Sequence, residues 1–297
     1  MFITIERLQN DIPSSQPDPK AANALQEVLG GKFGEMRVML QYMFQTFNFR
    51  GTAKPFQDLL RSIATEEIGH VELVSYAINM MLEGSTSYKE QSTSSTTTSS
   101  SLSLSTAMDS PNIHHFLVAG QSSRPVDAVG NPFLGEYIYN SGHLPLDLLY
   151  NLVGEATGTL QMCRLYQMSD NKTFRTTLAF LIARDHAHQK AWAKALEMMG
   201  VKWSDQIFAI PHFDYSKLPE VKEHMERNLH NQQWTFSNGP SQMSKIFSGE
   251  SPFGKDQTLE TIEGFPEGFS VPQLPDAPQE FSSGLMQSGI LNKMSQS

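Results

Sequence analysis

Two pairs of side chains, Glu67 with His70 and Asp185 with His188, each set an acid and an imidazole three residues apart. On a helix that spacing puts both groups on one face. Each pair continues an apolar seam. The first seam reads Phe56, Leu60, Ile63, Glu67, His70, Val74, Ile78 and Met81. The second reads Phe174, Leu178, Leu181, Asp185, His188, Trp192, Ala195 and Met199. Steps of three and four are the signature of a helix face packed into a bundle. A carboxylate and an imidazole placed in such a core are costly unless something compensates them. A metal ion is the usual compensation for this residue pair on one helix face. A single Glu-x-x-His is more often a surface pair or a satisfied core histidine, so the reading needs partners elsewhere.

Two further seams supply them. Val28, Lys32, Glu35, Met39, Tyr42 and Thr46 form one, and Leu148, Leu152, Glu155, Thr159, Met162 and Tyr166 the other. Each carries one acid among core positions. Four uncompensated burials would cost on the order of 10 kcal/mol, as much as the stability of a whole domain. One acid from each of two helices and an acid-x-x-His from each of two more is the pattern of a dinuclear carboxylate site. Asp185 is one methylene shorter than Glu, so the sequence predicts a reduced reach, with Asp185 meeting bound solvent rather than metal. Three carboxylates and two imidazoles against two divalent ions leave a net charge of about +1. Mixed carboxylate and imidazole ligation suits Mn or Fe. Two adjacent redox ions can exchange two electrons with peroxide without releasing a radical. Proton movement is also needed, and Asp185 is the natural carrier. Glu66 and Glu72 fall off the seam and are expected to face solvent or to stand behind the ligands.

The elements that must position these residues are helices. A helical pattern runs from about 21 to 49, interrupted by Gly30, Gly31 and Gly34. Those glycines lack the Gly-Lys-Ser/Thr ending of a phosphate loop, so they are expected to admit another backbone at close range. Pro55 opens a second helix that ends near Glu83-Gly84. Two long helices joined by so short a turn should be neighbours. Residues 85–110 are Ser/Thr-rich and of low complexity, which predicts a mobile surface loop. The stretch 84–144 is long enough to cross a bundle from end to end. A third helix follows from Pro145 to about Met168. Asp170-Asn171 then turns the chain and caps a fourth, which ends near Met199-Gly200. The fold class expected is therefore all-α: a ferritin-like four-helix bundle, residues 21–200, with one long crossover. An arm over 1–20 precedes it. An extended Pro/Gly-rich tail over 201–297 follows, with one short helix near Pro219 to Leu229.

Composition narrows the function classes. With a net charge of −9 and no basic block, nucleic acid is not an expected partner. No apolar run approaches the ~20 residues of a membrane helix, and no secretory leader is read at Met1-Phe2-Ile3. The lone cysteine, Cys163, excludes an internal disulfide and reads as a small core hydrophobe. A reducing, cytoplasmic location fits. Asn171-Lys172-Thr173 reads as helix-start chemistry rather than a glycosylation site. His114, His115, His143, His212, His224 and His230 lie off the seams, and His186 should leave the central face.

Several stretches together resemble the manganese catalases of the ferritin-like superfamily. They are Leu29 to Met36, Tyr42 to Gly51, Ala64 to Leu73, Ser141 to Leu149, Asp170-Asn171 and Pro211 to Glu220, with Glu66-Glu67-Ile68-Gly69-His70 the most specific. The resemblance implies a di-manganese site that disproportionates hydrogen peroxide to water and dioxygen. By its motifs Glu67 would bridge the two ions. Glu35 and His70 would complete one ion, Glu155 and His188 the other. Tyr42 matches a tyrosine behind the ligands. Asp185 stands where members often carry an outer glutamate. Gly154 stands where some carry arginine, which implies more open access. Some members bind structural calcium, which would fall near Asp58, although a solvated helix-start acid is the better reading there. The resemblance also implies a homo-oligomer, a hexamer. Alternatives are a di-iron ferritin-like oxidase or peroxidase, and a non-catalytic structural protein such as a spore-coat component.

Overall fold

A computed structural model describes residues 7–83, 104, 107–199, 217–235 and 260–263. Most of the Ser/Thr-rich stretch 85–110, most of the tail 201–297 and His212 lie outside the described residues.

Asp18 accepts a hydrogen bond from the Ala21 amide and Pro19 opens helix α1, Pro19–Gly30. The pattern read as one helix over 21–49 is in fact two. The chain breaks at residues 31–34 and resumes as α2, Glu35–Thr46. The physical reason is close approach. A Cβ on Gly30 would lie 2.4 Å from the Val126 carbonyl oxygen, and one on Gly34 would lie 2.5 Å from that of Val28. The break leaves Glu35 as the first residue of α2, at the positive end of its peptide dipoles.

A short 3-10 turn at Gly51–Ala53 leads into α3, Lys54–Leu82. The His114–Leu117 turn is α4. Helix α5, Leu144–Tyr166, begins after a tight turn. There the buried Asp147 carboxylate accepts from the Ser141 amide and hydroxyl and from the Gly142 amide. Gly142 takes a left-handed conformation, φ 74°, which a side chain would resist. Helix α6, Lys172–Met198, is capped by Asn171, whose carbonyl accepts from the Phe174 amide.

Helix α2 packs on α3, α5 on α6, and α3 on α6, closing a four-helix bundle in which α1 and α2 share one position. The connection from α3 to α5 crosses the bundle from end to end. Gln121 donates to the Leu82 carbonyl and the Ser123 amide to Asn79 at one end. Gln26 donates to the Val126 carbonyl partway along. Gln45 donates to the Tyr139 carbonyl, and Asn48 bonds Asn140, at the other end.

The bundle core is divided. One apolar cluster holds Leu25, Val74, Ile78, Phe174 and Leu178. The other holds Val38, Leu59, Ile63, Leu152 and Trp192. Between them, on every long helix, lies a polar layer. Beyond the bundle, α7, Pro219–Glu226, packs on α6. The expectation of an all-α chain gains one addition. Strands β1, Gln232–Thr235, and β2, Glu260–Glu263, pair in parallel.

Candidate metal centre

The polar layer contains each seam acid and histidine. Glu35, Glu67, His70, Glu155, Asp185 and His188 are all buried. They form two triads, Glu35 with His70 and Asp185, and Glu67 with Glu155 and His188; within each triad the candidate ligand atoms lie within 4.8 Å of one another. Glu67 stands between the triads. Its Oε2 is 2.7 Å from His70 Nδ1 and its Oε1 is 2.9 Å from His188 Nδ1. His70 Nδ1 is also 3.4 Å from Glu35 Oε2, and His188 Nδ1 is 3.6 Å from Glu155 Oε1. The two imidazoles lie nearly parallel, 5.6 Å apart. Glu67 Oε1 and His188 Nδ1 lack a well-formed hydrogen bond although neither is exposed. Buried polar atoms are normally satisfied. Carboxylate and imidazole atoms converging without proton partners are the donor set of a divalent ion, and these residues fit a dinuclear site.

Asp185 brings a carboxylate oxygen within 4.8 Å of the ligand atoms of Glu35 and His70. Gly158 of α5 packs beside it, and a Cβ there would lie 3.6 Å from Asp185 Oδ2, an ordinary contact distance. Thr159 donates to that oxygen at 3.5 Å, and Gln189 donates to Thr159. Burial, with the charges of Glu155, Glu35 and Glu67, raises the Asp185 carboxyl well above its ordinary range. Tyr42, fully buried, donates its hydroxyl to Glu155 Oε1 at 2.5 Å. Burial and the Glu155 charge raise its pKa, so the phenol keeps its proton. Burial also lifts Glu35 to about 8. For Glu67 burial acts in the same direction, but His70 and His188 overcome it and hold that carboxyl at about 2.

Glu66 takes the second of its two expected places: it is 2% exposed and stands behind both histidines. Its Oε1 is 3.6 Å from His70 Nε2 and its Oε2 is 3.3 Å from His188 Nε2. Burial opposes its ionisation, yet Arg184 and His188 keep it well below the usual carboxylate range. Arg184 Nε donates to it at 2.6 Å and Nη2 at 3.2 Å. Arg184 in turn donates to the Leu229 and Gln232 carbonyls and lies 4.1 Å over the Trp234 ring. With Nε2 of each imidazole turned toward Glu66, Nδ1 of each faces the centre. The sequence signal missed was Arg184 itself. It stands four residues before His188, as Glu66 stands four before His70, and a buried arginine needs an acid.

The remaining candidates lie elsewhere. Asp58 pairs with Lys54 at 2.8 Å near the exposed start of α3. His186 leaves the central face, as expected, and its ring lies 6.3 Å from that of His230. His224 packs edge-on against Phe180. The space left by Gly154 is not open. The Arg37 guanidinium occupies it, and a Cβ on Gly154 would lie 2.6 Å from Arg37 Nη1.

The sequence profile described as manganese containing catalase matches residues 1–295. An uncharacterised protein of Bacillus subtilis, YjqC, is 42% identical over 197 residues, spanning 66% of this chain and 69% of its own. A manganese catalase of Lactiplantibacillus plantarum is 32% identical over 267 residues, 90% of this chain and 92% of that one. The crystal structure of KatB, a manganese catalase from Anabaena, superposes with a TM-score of 0.57 at 21% identity, covering 88% of this chain and 99% of that one.

Proposed function

This chain belongs to the manganese-containing catalase family, and on that premise we propose how its own residues carry the reaction. The enzyme is a catalase, disproportionating hydrogen peroxide to water and dioxygen. Glu35, His70 and Glu67 would hold one manganese ion, and Glu155, His188 and Glu67 the other. The observation that carries this reading is the facing pair of buried, unsatisfied atoms, Glu67 Oε1 and His188 Nδ1, at the junction of two triads. When bound, the metal pair supplies two-electron exchange with peroxide.

The protein supplies orientation and protons. Glu66, clamped by Arg184, turns both imidazoles so that Nδ1 points inward. The Tyr42 hydroxyl orients Glu155 by donating to Oε1, the oxygen that lies 3.6 Å from His188 Nδ1. Asp185 carries the proton. Burial and the neighbouring carboxylates favour its protonated form, and its place beside Glu35 and His70 puts that carboxyl at the centre. The two apolar clusters above and below exclude bulk water from the layer.

The test is elemental analysis and peroxide-driven oxygen release on one sample. About two manganese ions per chain with cyanide-tolerant oxygen release is the expected result. Two iron ions with little oxygen would favour the oxidase reading, and no stoichiometric metal would sink the centre. Asp185→Asn is expected to keep both ions and lower kcat by roughly 10²-fold or more. An unchanged kcat would remove the proton-carrier role.

Three further parts belong to this reading. The chain acts in the cytoplasm. It assembles as a homo-oligomer, expected to be a hexamer, which would cover apolar side chains such as Phe47 and Val153, 59% and 52% exposed. Calcium near Asp58 would have to displace Lys54 from that carboxylate.

A further inference from the structure

Arg37 is a buried cation that the metal chemistry leaves unused. It lies on α2, two residues after Glu35, with 0% exposure. Its Nε donates to the Tyr137 carbonyl at 3.4 Å. Among the described residues neither Nη1 nor Nη2 has a hydrogen-bond partner. The guanidinium carbon stands 5.5 Å from the Phe33 ring centroid and 5.1 Å from that of Tyr150. Ring faces attract a cation, but they leave the in-plane N–H donors of the fork unpaired.

The position of this fork is specific. It rests on Gly154, where even a Cβ would collide with Nη1, and so borders the backbone immediately before Glu155. On the inner side its charge bears on Tyr42, partly opposing the burial that raises that phenol. Tyr42 and Glu155 are themselves hydrogen bonded. On the outer side Phe33, Tyr137 and Tyr150 are only partly buried. Arg37 is thus one side chain beneath the surface and one side chain away from the centre.

We propose that Arg37 is a substrate-binding residue, whose Nη1 and Nη2 hold peroxide over Gly154 between the aromatic cover and Glu155. The proposal rests on the catalase reading above. The fork offers only donors, so its ligand must accept. The guanidinium itself fills the space left at Gly154, so the ligand must be small. Hydrogen peroxide presents two adjacent acceptor oxygens and fits both demands. Small anions should compete for the same donors, with a charge-assisted advantage, and azide is the probe.

The test uses the full-length, metal-loaded protein and the variants Arg37→Gln and Arg37→Lys. Measurements are manganese content, kcat and KM for peroxide, and azide affinity by titration calorimetry. Arg37→Gln is expected to keep its manganese, raise KM by about tenfold with kcat within about twofold, and weaken azide by about tenfold. Arg37→Lys should recover part of both losses. Unchanged KM and azide affinity at full metal content would overturn the assignment. If Arg37→Gln fails to fold or to load metal, Gly154→Ala displaces the fork while retaining its charge. A raised KM there supports the site and an unchanged KM overturns it. If the unmodified protein holds no manganese and releases no oxygen, the catalase reading fails on its own. Azide calorimetry then decides the Arg37 site alone, with weaker binding in Arg37→Gln supporting it and equal binding overturning it.

Discussion

At the scale of single residues, burial and charge compete, and the winner differs between neighbours. Glu35 sits at the start of α2, where the helix dipole favours an anion by about 1 kcal/mol or less. Burial outweighs that and lifts its pKa from 4.5 to about 8. Glu67 is equally buried, but two imidazoles in direct contact reverse the balance. Metal binding must therefore displace a proton from Glu35 and protons from His70 and His188, whose pKa values their carboxylate partners raise against the effect of burial. The sign follows. These raised groups stabilise the metal-free fold at low pH, and that contribution is lost as pH rises from 4.5 through about 8 for Glu35. Ligation needs the deprotonated forms, so manganese affinity should rise over the same window. Competition against a chelator between pH 6 and 8, corrected for the chelator's own protonation, should show tightening. A flat profile would contradict the buried-carboxylate account of Glu35.

At the scale of elements, the link between the C-terminal segment and the metal layer is the feature that helix seams alone do not reveal. The Leu229 and Gln232 carbonyls and the Trp234 ring hold Arg184, Arg184 holds Glu66, and Glu66 faces both distal imidazole nitrogens. Orientation of metal-bound histidines by such outer partners is typically worth 10–100-fold in affinity. Arg184→Gln breaks the link at its middle and leaves Glu66 as a buried, unpaired charge. Release of manganese to excess chelator is expected to accelerate by roughly 10-fold or more in this variant. Equal release rates would mean that the histidines are oriented without help from Glu66.

At the scale of the whole molecule, the polar layer divides the core into two apolar clusters. That arrangement makes the bundle dependent on its ions. With metal bound as proposed, four helices would be cross-linked through one centre. Without it, the same layer is a set of buried acids and imidazoles in partial compensation. Stripping the metal should lower Tm by several degrees, since ligands that bind only the folded state stabilise it by mass action. Thermal scans of loaded and chelated protein, with manganese added back to the latter, check this. A Tm unaffected by stripping would place the cross-linking energy elsewhere.

The sequence by itself determined most of the centre. Seam periodicity located Glu35, Glu67, His70, Glu155, Asp185 and His188, because a helix face is a local property and all of these residues are buried where their seams predict. It also determined the bundle, the long crossover, the Asn171 cap and the α7 helix near Pro219. The tertiary structure decided what depends on contacts between distant segments. The break between α1 and α2 comes from the backbone near Val126 pressing on Gly30, across nearly a hundred residues of sequence. Seam membership left Glu66 undecided between solvent and the space behind the ligands. It was settled by Arg184 from another helix. Gly154, read as an opening, is filled by Arg37 from α2. Periodicity reports which face of a helix is buried. It cannot report which side chain from another helix arrives to pair with a charge or fill a gap, because that depends on packing distances fixed only when the helices meet.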